Sequence, residues 1–250
     1  MPKSVKFRFY EELNDFLPKD KKKTSFSFIF KGQPSVKDTI ESLGVPHTEI
    51  DLILVNSKSE TFSYQLKDGD MISVYPVFES LDISNATRLR EKVLREPRFI
   101  LDVHLGKLAK YLRMMGFDTL YENNYHDSEI VKIATNEKRI VLTRDVDLLK
   151  IRDLDRGYWI RSPYPLEQVN EVIIRLDLFS CIKPFNRCIT CNGIITKSRK
   201  ESIIDRLKPK TKLYYEDFFQ CTSCKKVYWK GSHYFKMKGF IDNLLKKSHF

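Results

Sequence analysis

At 250 residues, 42% hydrophobic and 31% charged, the chain describes a globular polypeptide with room for a sizeable core and two or three small domains. Its first residues, Met-Pro-Lys-Ser-Val-Lys-Phe, hold no apolar signal core, and no run approaches the roughly 18 apolar residues of a membrane helix. A cytoplasmic protein with no membrane partner is expected. The net charge of +11 is unevenly placed: residues 1–80 carry 11 basic and 12 acidic side chains, 81–180 carry 17 and 16, and 181–250 carry 16 and 5. The excess lies in the last segment, which points to a polyanion-binding module there.

The chain opens with Val5, Phe7 and Phe9 alternating with polar neighbours, then a charged turn from Pro18 to Lys23, then Phe26, Phe28 and Phe30 on one face. These two runs predict a hairpin. Ser35 with Asp38 three residues on has the form of a capping box, and starts a helix of about two turns ended by Gly44 and Pro46. Further strands are expected over Asp51–Val55 and Met71–Pro76, the latter entered through the turn Lys67-Asp68-Gly69-Asp70. Strand, strand, helix, strand, strand within residues 1–80 predicts a β-grasp. Through Asp68 to Pro76 the segment resembles the ubiquitin-like, sulfur-carrier family. Carriers of that kind end in an activatable Gly-Gly, whereas here the chain continues into Val77-Phe78-Glu79. A docking or stabilising module that meets a protein partner is therefore expected.

Residues 81–97 read as a linker with an Arg-rich helical segment from about Ala86 to Arg95, stopped by Pro97. Beyond it, Phe99-Ile100-Leu101 and Ile140-Val141-Leu142 have strand length and composition, and each is followed within three residues by an aspartate, Asp102 and Asp145. Between them Leu105, Leu108, Ala109, Leu112 and Met115 repeat at helical spacing, with Gly116 placed as a C′ residue, and a second helix is expected from Asp127 to about Asn136. A strand at Tyr158–Arg161 and a helix from Leu166 to about Leu176 complete this part. The alternation predicts a parallel sheet covered by helices, in which ligands bind beyond the carboxyl ends of strands, where Asp102 and Asp145 fall. Each aspartate has two readings. An Asp between strand and helix serves as an N-cap, and Asp127 in Asp-Ser-Glu-Ile suits that role; carboxylates recurring at one edge also suit Mg²⁺ or Mn²⁺, which can activate water. Thr143 and Arg144 can position a phosphate or bond within their loop.

The last segment holds Cys188-Ile-Thr-Cys191 and Cys221-Thr-Ser-Cys224, two CxxC pairs separated by 29 residues, which together supply four thiolates for a structural Zn²⁺. Reduced pairs without metal, or disulfides, are the alternative. Cys181 is expected to be a core thiol rather than a ligand. Lysines and arginines including Lys225, Lys226 and Lys230 are interleaved with aromatics including Phe219, Tyr228 and Trp229. Cations neutralise phosphates and aromatic faces stack unpaired bases, so a single-stranded nucleic acid is the expected polyanion; a small aromatic core beneath a solvated basic surface is the other reading.

The run Ile100-Leu101-Asp102, the helix Gly106 to Asp118, Asp127-Ser-Glu-Ile, Leu142-Thr-Arg-Asp145, the cysteines and Tyr228-Trp-Lys-Gly-Ser-His-Tyr234 closely resemble the PIN-like "Mut-seven C-terminal" RNase family, over about residues 98–240. That resemblance implies a PIN-like nuclease core over 98–180 and a basic zinc ribbon over 181–250. It implies Asp102, Asp127 and Asp145 as catalytic Mg²⁺ or Mn²⁺ ligands; Asp147 and Glu129 compete for a fourth place. Arg144, Lys225, Lys226, Trp229 and His233 are the expected nucleic-acid contacts, His233 as phosphate contact, structural bond or proton carrier. The expected function is divalent-metal-dependent hydrolysis of RNA. A non-catalytic RNA-binding adaptor, and a toxin-like RNase held by a partner, are the alternatives.

Overall fold

The computed structural model describes residues 2–76, 89 and 97–246. In chain order the elements are β1 (Lys3–Phe9), β2 (Phe26–Phe30), α1 (Val36–Ser42), β3 (Ile50–Val55), β4 (Lys58–Glu60), β5 (Met71–Pro76), β6 (Arg98–Leu101), α2 (Gly106–Met114), β7 (Asp118–Leu120), α3 (Asp127–Glu137), β8 (Ile140–Thr143), β9 (Gly157–Trp159), α4 (Pro165–Arg175), β10 (Ile195–Ser198), α5 (Pro209–Tyr214), β11 (Phe218–Cys221), β12 (Val227–Trp229) and α6 (Ser232–Lys246). The chain folds into two compact units, Met1–Arg95 with Val131–Trp159, and Glu96–Ile130 with Ile160–Phe250. Apart from residue 89, the expected linker helix over 86–95 lies outside the described residues.

In the first unit a five-stranded sheet runs in the order β2-β1-β5-β3-β4. The hairpin read from the two alternating runs forms as β1 against β2, with Val5 opposite Phe28 and Phe7 opposite Phe26. β5 inserts between β1 and β3, parallel to β1 and antiparallel to β3, which is the β-grasp arrangement. Its core gathers the inward residues of the alternation, Val5, Phe7 and Phe9, with Ile40 of α1 and Ile53 of β3. The capping reading holds: the Ser35 hydroxyl accepts from the Asp38 N–H and donates to its carboxylate. Gly44, at φ +100°, ends the helix in a conformation costly for other residues. The stretch that carries the ubiquitin-like resemblance is a built turn. Asp70 is buried and accepts from Asn56, from the Tyr64 hydroxyl and from the Lys67 N–H.

The same unit contains β8 and β9, paired in parallel from Val141 with Gly157 to Thr143 with Trp159. The turn after α1 packs against this part. Thr48 donates to the Leu149 carbonyl, the His47 ring bonds the Leu154 carbonyl, and the Glu49 carboxylate accepts the Trp159 N–H. Phe16 meets the Trp159 ring at 5.0 Å between centroids.

In the second unit β6 pairs in parallel with β7, so every core pairing described is parallel, as the strand–helix alternation required. The helix stop at Gly116 forms at φ +98°. The C-terminal part is a three-stranded antiparallel sheet, β10-β11-β12. Backbone bonds fasten it to the core of its own unit: Lys183 N–H to Met115 O at 2.9 Å and Phe185 N–H to Met114 O at 2.9 Å.

Candidate functional site

The two CxxC turns are built alike. In each, the N–H four residues after the first cysteine bonds that cysteine's carbonyl (Asn192 to Cys188, Lys225 to Cys221), and each first cysteine's N–H bonds the carbonyl five residues on. The fourth residue is left-handed in both, Asn192 at φ +67° and Lys225 at φ +60°. The repeated geometry aims four sulfurs at one point: Cys188 and Cys224 lie 3.6 Å apart, Cys191 and Cys221 3.5 Å apart, and all four fall within 4.8 Å of one another. Four thiolates around Zn²⁺ at ~2.3 Å stand about 3.8 Å from one another, so the set fits a metal such as zinc. All five cysteines are free thiols, and half-buried Cys181 stands outside the group. Burial opposes ionisation of Cys188, yet the Tyr228 hydroxyl and the N–H groups of Cys191 and Thr190 hold it down to about 6. Burial and bonds to the neighbouring thiols push Cys224 up to about 12.

The carboxylates are placed differently. Asp102, 7% exposed, directly follows β6 and caps a short 3-10 turn, accepting from the Val103 N–H. The capping reading is therefore realised at Asp102. At Asp127 it is not: His126 occupies the cap position, its carbonyl accepting from Ile130, while the Glu129 carboxylate returns to the His126 N–H at 2.9 Å. Asp127 stands exposed in the first turn of α3. Asp145 is exposed two residues beyond β8; its N–H bonds the Thr143 hydroxyl at 2.9 Å and its carboxylate accepts from Asp147 N–H at 2.8 Å. Thr143 thus serves the loop. Of the candidates for a fourth acid, Glu129 is engaged at the helix start and Asp147 pairs with Lys150 at 3.1 Å. Asp102 and Asp127 belong to the second unit and Asp145 to the first. Among the described residues, the four cysteines are the one group of three or more ligating side chains gathered closely enough to hold an ion.

With this geometry in place, comparison with protein families is decisive. The Mut7-C RNAse domain model matches residues 97–241 and the Mut7-C ubiquitin model matches residues 2–82. The chain belongs to the Mut7-C RNAse family. No curated protein and no solved structure matches it. The Mut7-C match spans both CxxC turns as well as the parallel-strand core, and the ubiquitin match covers the β-grasp. No helix among the described residues is long and apolar enough to cross a membrane.

The basic and aromatic residues of the Mut7-C domain divide by location. Lys225 and Lys226 are exposed, but their ammonium groups also bond the Thr222 carbonyl at 2.7 Å and the Thr190 hydroxyl at 3.0 Å, bracing the cysteine turns. Trp229 is 38% exposed on the edge strand β12, and His233 is exposed in the first turn of α6. Arg144 is exposed, and its carbonyl accepts from the Trp159 indole at 3.2 Å. Arg113 shares α2 with the exposed Lys107 and Lys110 but is itself only 4% exposed. Its guanidinium donates to the carbonyls of Thr119 at 2.8 Å and Thr190 at 2.9 Å, tying α2 to the first cysteine turn. Helical spacing alone could not separate Arg113 from its exposed neighbours, because the groups that bury it lie up to 77 residues away.

Proposed function

We propose that this protein hydrolyses RNA phosphodiester bonds with a divalent cation held by Asp102, Asp127 and Asp145, and holds single-stranded RNA on a basic ribbon stapled by zinc through Cys188, Cys191, Cys221 and Cys224. The observation that carries this reading is the Mut7-C RNAse match over 97–241, laid on a parallel-strand core in which β6 and β8 each run into a carboxylate. Three hard oxygen donors suit Mg²⁺ or Mn²⁺, which when bound supplies a water of lowered pKa and positive charge beside the phosphoryl group.

The chain's own residues hold and orient. The capping bond to Val103 fixes Asp102 at the strand end, and the Thr143 hydroxyl and Asp147 N–H fix the loop carrying Asp145. Arg144, exposed beside Asp145, offers a planar cation suited to a phosphate. Zinc surrounded by four thiolates leaves no open position, so its part is structural, and reduced thiols fit a cytoplasmic setting. The ubiquitin-like domain adds a surface for a protein partner.

The test is incubation of the purified protein with mixed labelled RNAs in Mn²⁺ or Mg²⁺, followed by mapping of the cut ends. Cleavage that appears only with added cation is expected; intact RNA under all conditions refutes the reading. The capping role of Asp102 and the absence of a gathered acidic group among the described residues favour a second reading, an RNA-binding adaptor without catalysis. RNA binding with no uptake of Mn²⁺ would select it.

A further inference from the structure

Strand register sorts the ribbon's aromatics onto two faces. Phe218 lies opposite Trp229, and Gln220 opposite Val227, so this row faces one way; Phe218 is fully buried and packs with Ile203 and Leu207, with Tyr215 and Val227 beside them. On the other face, Lys197 of β10, Phe219 of β11 and Tyr228 of β12 stand in one cross-strand row. The first face is the small core of the ribbon. The second is not part of that core, and its row lines a pocket of about 300 Å³ shared with Phe185 and Tyr234, whose rings meet at 4.7 Å. Arg187 and Lys230 also line it.

The size lies at the lower end for small-ligand sites, which run from roughly 300 to 1,000 Å³. Its lining pairs aromatic faces with Lys197 and Lys230, beside an Arg187 already engaged by Asp118 at 3.2 Å and by the Asn192 carbonyl at 3.1 Å, in a segment holding 16 basic and 5 acidic residues. Of those cations, Lys197 has only a loose partner in Asp217 at 3.3 Å, both being well exposed, and such pairs yield readily to a phosphate. The Tyr228 hydroxyl lies 3.0 Å from the Cys188 sulfur, so one ring of the pocket is held by the same turn that holds the metal ligands. A flat aromatic ring joined to a negative linker fits all of this, whereas an uncharged apolar peptide leaves the cations unused.

We propose that this pocket takes an unpaired nucleobase of single-stranded RNA, stacked on Phe219 and Tyr234, while Lys197 and Lys230 meet the adjoining phosphates. The proposal rests on the reading that the protein handles RNA, and adds the contact that separates single strands from duplexes. A base inside a duplex is stacked and paired on both sides and cannot enter.

The experiment measures binding by full-length protein, without added Mg²⁺ or Mn²⁺, of a labelled oligouridylate and of an abasic ribose-phosphate oligomer of equal length. Stacking on one aromatic site predicts a preference of about tenfold or more for the oligomer with bases. Phe219→Ala should remove that preference and leave abasic affinity unchanged, while Lys197→Gln should weaken both oligomers alike. Zinc content and circular dichroism check the fold of each variant. If Phe219→Ala loses zinc, Tyr234→Ala, on α6 and away from the cysteine turns, carries the same expectation. Equal binding of the two oligomers by wild type, or a preference that survives the aromatic substitutions, overturns the proposal and leaves the pocket as a seat for a protein segment. Base-dependent binding without cleavage in Mn²⁺ would keep this proposal and refute the nuclease reading; cleavage without base preference would do the reverse.

Discussion

Gly116 shows how much one residue can carry. At φ +98° it ends α2, and a Cβ built there would overlap the Lys183 carbonyl oxygen, a backbone atom held by the bond from Lys183 N–H to Met115. Gly69 has a similar φ of +83° with nothing within 4 Å of its would-be Cβ. Gly69→Ala should therefore cost only the left-handed penalty, ~1–2 kcal/mol, and Gly116→Ala clearly more. Denaturant melts of the two variants check this; equal losses would mean that the close approach at Lys183 relaxes cheaply. Arg113 makes a second residue-scale case. Arg113→Met removes the donor shared by Thr119 and Thr190; the buried Thr119 carbonyl is left short of a partner at roughly 1–3 kcal/mol, while the Thr190 carbonyl, on an exposed residue, can turn to water. Because Thr190 lies inside the first cysteine turn, the variant should also release zinc faster to a chromogenic chelator. Wild-type release kinetics would show that the strut does not reach the metal site.

At the level of elements, legibility followed period and punctuation. The β1–β2 hairpin, the Ser35 cap, the Gly116 stop and the two CxxC turns could all be read from the chain, because each rests on residues within a few positions of one another. β4 and β7, three residues each, are too short to show a period, whereas α6 does repeat apolar residues at helical spacing, Tyr234, Met237, Ile241 and Leu244. Helix α3 begins at Asp127 as expected, but Asp127 does not cap it: the Glu129 carboxylate reaches back to the His126 N–H instead. Sequence also could not say which ribbon aromatics are core, because that depends on pairing register across β10, β11 and β12. If the four cysteines hold zinc as proposed, this ribbon is the element that depends on it. Elemental analysis should find about one zinc per chain, and Cys221→Ser should lower both zinc content and the thermal stability of β11 and β12. Full stability without metal would show that the ribbon's small core suffices.

For the whole molecule, the domain division read from sequence differs from the way contacts are shared. The ubiquitin-like segment sits in one compact unit with residues 131–159, joined through His47, Thr48, Glu49 and Phe16. Trp159, held by Phe16 and Glu49, in turn bonds the Arg144 carbonyl beside Asp145. The domain is thus a structural neighbour of a proposed catalytic loop. In a Trp229→Phe background, Trp159 fluorescence should change in the same transition as the far-ultraviolet signal of the β-grasp sheet; an earlier, separate Trp159 transition would show that the contact is weak. The ribbon is likewise no detachable appendage, since Met114, Met115 and Arg113 bond residues of 183–190. Removing everything beyond Ser180 would open the core along with the basic surface, so point substitutions are the cleaner probe of charge.

The central claim is catalysis by carboxylates that hold a divalent cation, and chelation tests it poorly because a chelator would also strip zinc. Single-turnover cleavage of a labelled single-stranded RNA in Mn²⁺, compared between wild type and the Asp102→Asn and Asp145→Asn variants with zinc content verified, tests it directly. Each change removes charge but keeps shape and hydrogen-bonding capacity, and metal activation contributes several kcal/mol, so a rate loss of about a hundredfold or more is expected in both variants. Wild-type rates in either variant would contradict the account.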